Sequence, residues 1–192
     1  MELECAWSTS DQEYLRYHDE EWGVPLRSDP RLFEMLVLEG SQAGLSWITV
    51  LRRRSSYRVA FEEFDISRVA KLDPQRLIEA PGLIRNRKKI VSAIHNAQIA
   101  LKIQAEVGSL SQYLWSFIDD ETIVNGWRKA EEVPSYSARS VAMSQGLRSY
   151  GMSFVGPTIC YAFMQAVGMV NDHLMSCPRY KELGGVLSGE II

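Results

Sequence analysis

The stretch VNDHLMSCPRY, residues 170–180, sets His173 and Cys177 four residues apart in a chain that holds only three histidines and three cysteines. On a helix, residues i and i+4 share a face, so both side chains could reach one metal ion. The remaining candidates are Cys5, Cys160, His18 and His95. Cys160 lies in the apolar run TICYAFMQA and reads as a small core residue. His95 follows a basic helix surface with no cysteine nearby and reads as solvated. Cys5 and His18 flank the start of a capped helix, and adding them gives a two-Cys, two-His set that suits tetrahedral zinc. The competing reading is a free thiol near the chain start and a surface histidine. Four protein ligands leave no position for water, so a zinc held this way would be structural. It would tie the first twenty residues to the last helix.

A second group of residues carries charge. Arg52, Arg53 and Arg54 are consecutive, and RNRKK places Arg85, Arg87, Lys88 and Lys89 together. The formal net charge of −3 argues against a nucleic-acid binder on overall electrostatics. The clusters nonetheless allow a basic face on an acidic protein, against the plainer reading of solvated helix surface.

The elements that must position these groups read as helices almost throughout, an all-α chain of about eight. STSDQEYLRYHDEEWG offers Ser10 as N-cap with Glu13 three residues on, and Gly23 as a stop. SDPRLFEMLVLEGSQAG opens on an Asp29-Pro30 cap pair, and Leu32, Phe33, Leu36 and Val37 recur at helical spacing. Asp73-Pro74 opens DPQRLIEA, and a break at Pro81-Gly82 precedes a long helix striped with Ile90, Ile94, Ala97 and Leu101. SLSQYLWSFI, SYSARSVAMSQGLRSYG and GPTICYAFMQAVGMVNDHLMSC supply three more. The length and 46% hydrophobic content fit one domain over residues 1–178, with 179–192 a flexible tail. No apolar run nears the roughly 18–20 residues of a membrane span. The acidic, polar N-terminus is no secretory signal, and three scattered cysteines make no disulfide framework. The expected setting is the reducing cytoplasm, with the nucleoid, as a monomer.

HDEEWGVP, LEGSQAGLSWITVL and FVGPTICYAFMQAVGMVNDH together closely resemble the type I 3-methyladenine DNA glycosylases, a branch of the helix-hairpin-helix superfamily. The similarity runs from Cys5 to about Cys177. It implies a structural zinc on Cys5, His18, His173 and Cys177. It also implies a DNA-binding helix-hairpin-helix over about residues 74–95, carried by LIEAPGLIRNRKKIVSAI. Backbone N–H groups at a helix N-terminus after a glycine turn make an anion site, so Gly82, Arg85, Arg87 and Lys88, with Lys89, would grip a DNA phosphate whatever the base sequence. Many hairpins of the superfamily carry a second glycine two residues after the first; at that position this chain has Ile84.

The reaction the resemblance implies is hydrolysis of the N-glycosidic bond of 3-methyladenine in double-stranded DNA, with the nucleotide flipped out of the stack. The free base and an abasic site are the products. The ring is cationic and leaves as a neutral molecule, so it needs little general-acid help. By the same resemblance Glu39 and Tyr17 carry recognition and catalysis, while Trp47, Trp7 and Trp22 line the base pocket. Gly44 and Leu45, with Gln42 beside them, form the wedge that fills the gap in the duplex. Residues 100–115 contain no aspartate, in keeping with a branch that lacks the superfamily's catalytic carboxylate, and this implies a narrow substrate range. The alternative is a zinc-stabilised helix-hairpin-helix protein that binds DNA without catalysis.

Overall fold

The computed structural model describes Cys5, residues 11–42 and residues 44–185. The central element is α2 (Asp29–Gln42), buried without interruption from Leu32 to Ser41. Its apolar stripe is the one expected, with Leu32, Phe33 and Leu38 fully buried. Burial of such side chains stabilises by about 1.5–3 kcal/mol each. Around α2 pack α3 (Trp47–Leu51), α5 (Ile66–Val69), α7 (Arg87–Val107), α8 (Leu110–Trp115) and α10 (Pro157–Ala166). The remaining helices are α1 (Gln12–Glu20), α4 (Arg54–Ala60), α6 (Pro74–Glu79), α9 (Ala138–Ser149) and α11 (Pro178–Glu182). That makes eleven among the described residues, against the eight expected. The excess comes from one-turn helices such as α3 and α5, too short to show a 3.6-residue period.

Several boundaries follow the sequence. Asp73 caps α6 by accepting the Gln75 N–H, with Pro74 at the first helical position. Asn86 caps α7 by accepting the Lys89 N–H, and Gly108 ends it. Others differ. The cap of α1 is Asp11, whose carboxylate accepts the Glu13 and Tyr14 N–H groups, while Ser10 lies outside the described residues. Asp29 sits inside α2 and serves another helix. Its carboxylate accepts the first two N–H groups of α8, from Leu110 at 2.9 Å and Ser111 at 2.8 Å, plus the Gln104 amide at 2.7 Å. Residues 178–182 are no loose tail: α11 is formed there, with Tyr180 buried; residues 186–192 lie outside the described part.

The long helix expected through His173 to Cys177 stops at Ala166. Gly168, at φ +71°, turns the chain, and a Cβ on it would lie 2.4 Å from the backbone of Val24 and Pro25. Only glycine permits both the turn and that approach. The chain then extends as β2 (Val170–Asn171), pairing in parallel with β1 (Ile123–Val124). Next comes Asp172, a buried carboxylate accepting from Asn125, Trp127, Tyr161 and Gln165 at 2.7–2.8 Å. Four donors fix the backbone just before His173. Among the described residues no helix is long and apolar enough to cross a membrane.

Asp29→Ala should destabilise the protein by about 2 kcal/mol, because two helix-end donors and one side-chain amide lose their acceptor. Urea unfolding of both proteins measures this, and a loss below about 0.5 kcal/mol would mean that the carboxylate does not hold the start of α8 in place.

Candidate active site and metal centre

Two glutamates five residues apart on α2 are both buried, and their surroundings are opposite. Glu34 takes Arg54 Nε at 2.7 Å, Arg58 Nε at 2.7 Å and Arg31 Nε at 3.2 Å. Burial pushes its carboxyl up, but the Arg58 and Arg54 guanidiniums outweigh it and hold the group below the usual carboxylate range. Arg54, one of the three consecutive arginines, is thus spent inside the fold, where it also meets Glu21. Arg52 pairs with Asp11, and Arg53 donates to the Gly82 carbonyl.

Glu39 has no hydrogen-bond or ion-pair partner among the described residues, and it is 5% exposed. Burial alone pushes its carboxyl up to about 8. Beside it opens a pocket of about 230 Å³ that it lines with Gln42, Gly44, Leu45, Thr158, Ile159 and Ala162. A buried acid at the wall of a pocket, with no counter-charge among the described residues, is able to pair with a positive group brought in from outside.

Tyr17 and Trp47 pack on each other, both buried, with ring centroids 5.4 Å apart; neither lines the pocket at Glu39, and Tyr17 opens instead on a smaller cavity with Glu21, Met35 and Arg54. Burial, then the charge of Glu39, push the Tyr17 phenol well above its ordinary value, so it stays neutral. The Trp47 Nε1 donor is buried without a partner among the described residues. Trp22 is buried beside the two histidines, edge-on to His173 at 4.6 Å and stacked beside His18 at 6.1 Å. Trp7 lies outside the described residues. Gly44 turns the chain after α2, the Leu45 N–H returns to the Gln42 carbonyl, and the Leu45 side chain stands 41% exposed. Thr158, Ile159 and Ala162 of α10 carried no expected role. Their signal was slight: Thr158 and Ala162 are a small i, i+4 pair on an otherwise bulky apolar helix.

The pair α6 and α7 flanks the Pro81-Gly82 turn. Gly82, at φ +82°, is pressed on Ser56, where a Cβ would come within 2.3 Å of the hydroxyl oxygen. The Ile84 N–H donates inward to the Tyr57 hydroxyl, so that amide does not face outward. Arg85, Arg87 and Lys88 are exposed, and Lys89 is half-buried. The first turn of α7 lies against the end of α2, since Lys89 Nζ donates to the Ser41 carbonyl at 2.9 Å.

Cys5, His18, His173 and Cys177 converge, all four buried, with their ligand atoms within 4.8 Å of one another. The Cys5 and Cys177 sulfurs lie 3.5 and 3.6 Å from His173 Nδ1, and Cys177 Sγ lies 3.8 Å from His18 Nε2. His173 and Cys177 meet through a turn before α11, not along a helix face. The far nitrogens face pure acceptors: His18 Nδ1 is 2.7 Å from Asp19 Oδ1, and His173 Nε2 is 3.1 Å from the Trp22 carbonyl. Both acceptors require a proton on those nitrogens, which turns the lone pairs of Nε2 and Nδ1 toward the cluster centre.

The model of the methyladenine glycosylase family matches residues 7–180. The chain belongs to that family. Among methyladenine glycosylases, DNA-3-methyladenine glycosylase 1 of Escherichia coli is 44% identical over 179 residues, 92% of this chain and 96% of the relative. The DNA-3-methyladenine glycosylase of Haemophilus influenzae is 43% identical over 181 residues, 93% and 98% of the two chains. A solved structure addressing 3-methyladenine recognition by 3-methyladenine DNA glycosylase I of Staphylococcus aureus superposes with a TM-score of 0.89 at 36% identity. That likeness covers 92% of this chain and 96% of the other.

The raised acid of Glu39 has a thermodynamic consequence. Between about 4.5 and 8 the folded chain holds a proton that the unfolded chain has lost. Its stabilising contribution is therefore complete below the unfolded value and is lost as pH rises through the folded one, by about 1.4 kcal/mol per pH unit. Glu39→Gln removes the titration. Its stability relative to the parent should climb between pH 5 and pH 8.5 in urea melts; parallel curves would show that the carboxyl is not shifted.

Proposed function

We propose that this protein is a DNA repair glycosylase that hydrolyses the N-glycosidic bond of 3-methyladenine in alkylated double-stranded DNA, releasing the base and leaving an abasic site. The observation that carries this reading is the buried carboxyl of Glu39, at the wall of its pocket and without a partner among the described residues. The family and the named relatives support it.

The chemistry follows from charge. Ordinary adenine is neutral and gives Glu39 no cause to release its proton to solvent, so the acid stays uncharged and no ion pair forms. A ring methylated at nitrogen brings the missing positive charge. It pairs with the carboxylate and lies against the faces of Tyr17 and Trp47, which favour cations. As the bond breaks, the base leaves neutral and the positive charge passes to the sugar. The protein's part is selection, burial and electrostatic support of that charge rather than proton donation. The absence of an aspartate from residues 100–115 fits this division, since a leaving group already activated by its charge needs no strong catalytic carboxylate.

Binding requires the nucleotide outside the duplex. The exposed Leu45 after the Gly44 turn is suited to the gap it leaves. Arg85, Arg87 and Lys88 surround the start of α7, where the Arg87 and Lys88 N–H groups have no partner among the described residues. This is the helix-hairpin-helix grip on a phosphate. It rests on the α7 terminus and its cations, since the Ile84 amide is committed to Tyr57.

The cluster of Cys5, His18, His173 and Cys177 fits zinc. Ligand bonds of 2.0–2.3 Å in a tetrahedron put neighbouring ligand atoms roughly 3.4–3.8 Å apart, which matches the separations of 3.5, 3.6 and 3.8 Å. Such an ion would have its coordination filled by protein and would act structurally, joining Cys5 and α1 to the segment before α11.

Release of labelled 3-methyladenine from methylated DNA tests the enzyme. The parent should release it and leave hypoxanthine-containing DNA intact. Glu39→Gln should lower the rate about 10²–10³-fold with duplex affinity retained. Binding without release by the parent would favour the non-catalytic alternative. The purified protein should contain stoichiometric zinc by elemental analysis, and chelation or His173→Ala should lower Tm sharply. Unchanged Tm on complete metal removal would overturn the structural assignment.

A further inference from the structure

The basic run RNRKK does not act as one patch. Arg85, Arg87 and Lys88 are exposed, but the Lys89 side chain turns inward and its Nζ donates to the Ser41 carbonyl at 2.9 Å. Ser41 is the next-to-last residue of α2, whose final carbonyls have no partner within the helix. A cation is well placed there, at the negative end of the helix dipole. The stem lies in a narrow cleft between α2 and α7, lined by Val37, Gly40, Ser92, Asn96 and Phe154. Desolvation in that cleft lowers the Lys89 pKa, as expected for an ammonium drawn away from water. The backbone of Phe154, at φ +56°, is pressed on Gly40, and Asn96 braces Ser153 from α7 through two hydrogen bonds.

Ser41 lies between the acid and the turn that holds Leu45. Two residues before it is Glu39; just after it come Gln42, Gly44 and Leu45. Lys89 itself lies one residue beyond Lys88 in the first turn of α7. We infer that Lys89 is a positioning residue, not a phosphate-binding cation: its bond to the Ser41 carbonyl sets the phosphate-gripping end of α7 in register with the base pocket and wedge at the end of α2. This deepens the function proposed above and rests on it. Phosphate contacts fix where the protein sits along the strand, and the lesion must then meet Glu39 without a gap. A misplacement of about 1 Å at such a junction can cost about 10²-fold in rate.

The two roles for Lys89 separate by salt. A lysine that neutralises a phosphate contributes about 0.9 to the slope of log K against log salt. Lys89→Met keeps the apolar stem and removes the donor. Undamaged-duplex binding across a salt series should give the parental slope, while single-turnover release of 3-methyladenine at saturating protein falls about 10²-fold. Lys88→Met, run alongside, should lower the slope by about 0.9. A slope reduced equally in Lys89→Met, or a single-turnover rate equal to the parent's, overturns the inference. Should Lys89→Met fail to fold by circular dichroism, the same two readings on Lys89→Gln decide, with the same outcomes. Release by the parent protein tests the glycosylase reading itself, so its failure is distinguishable from a failure of the Lys89 role.

Discussion

A carboxyl group enclosed by protein with no counter-charge is costly, and the pocket side of this molecule is organised around that cost. Glu34 and Glu39 lie on one helix at similar depth. The first is surrounded by Arg31, Arg54 and Arg58 and serves the fold. The second has none of these beside it, and burial favours its protonated form. In the function proposed above, affinity for a cation would come from the enclosure more than from any contact made in advance. In that proposal the Tyr17 phenol and the Trp47 indole would add to the preference, since aromatic faces attract positive charge without neutralising an acid.

The same helix carries these functions along its length. Its start supplies Asp29 to α8, its middle builds the core, and its end carries the acid, the turn and the carbonyl that Lys89 holds. The pocket is faced by α10 through Thr158, Ile159 and Ala162, while α7 closes a separate cleft on the other side of the α2 end. A small all-α chain can make such a site because α2 is buried through ten successive residues, which leaves it little freedom to shift.

Much of this was legible in the sequence wherever a local rule governs. Asp73-Pro74 and the Leu32, Phe33, Leu36, Val37 stripe follow from capping chemistry and periodicity. The four possible metal ligands could be chosen from six residues by spacing and surroundings, and they do come together. The geometry of their meeting was not legible. The helix through His173 fails because Gly168 must pass the backbone at Val24 and Pro25, a contact over more than 140 residues of sequence. The same kind of distance hides Asp29 capping α8, Lys89 reaching Ser41, and Trp22 packing on the histidines. The first two look locally like something else, a self-cap and a surface lysine. Thr158, Ile159 and Ala162 were missed because a wall of modest residues has no chemical signature of its own.

Tyr17 and His18 are consecutive, and they are the buried residues of α1. The phenol faces Trp47 and the imidazole faces the sulfur and nitrogen atoms of the cluster. One peptide unit therefore belongs to two sites. A residue inserted or removed upstream within α1 would rotate both side chains by about 100° together. Neither contact can drift in register without the other, so in this first helix the cysteine–histidine cluster and the packing of Tyr17 on Trp47 must be inherited as a unit.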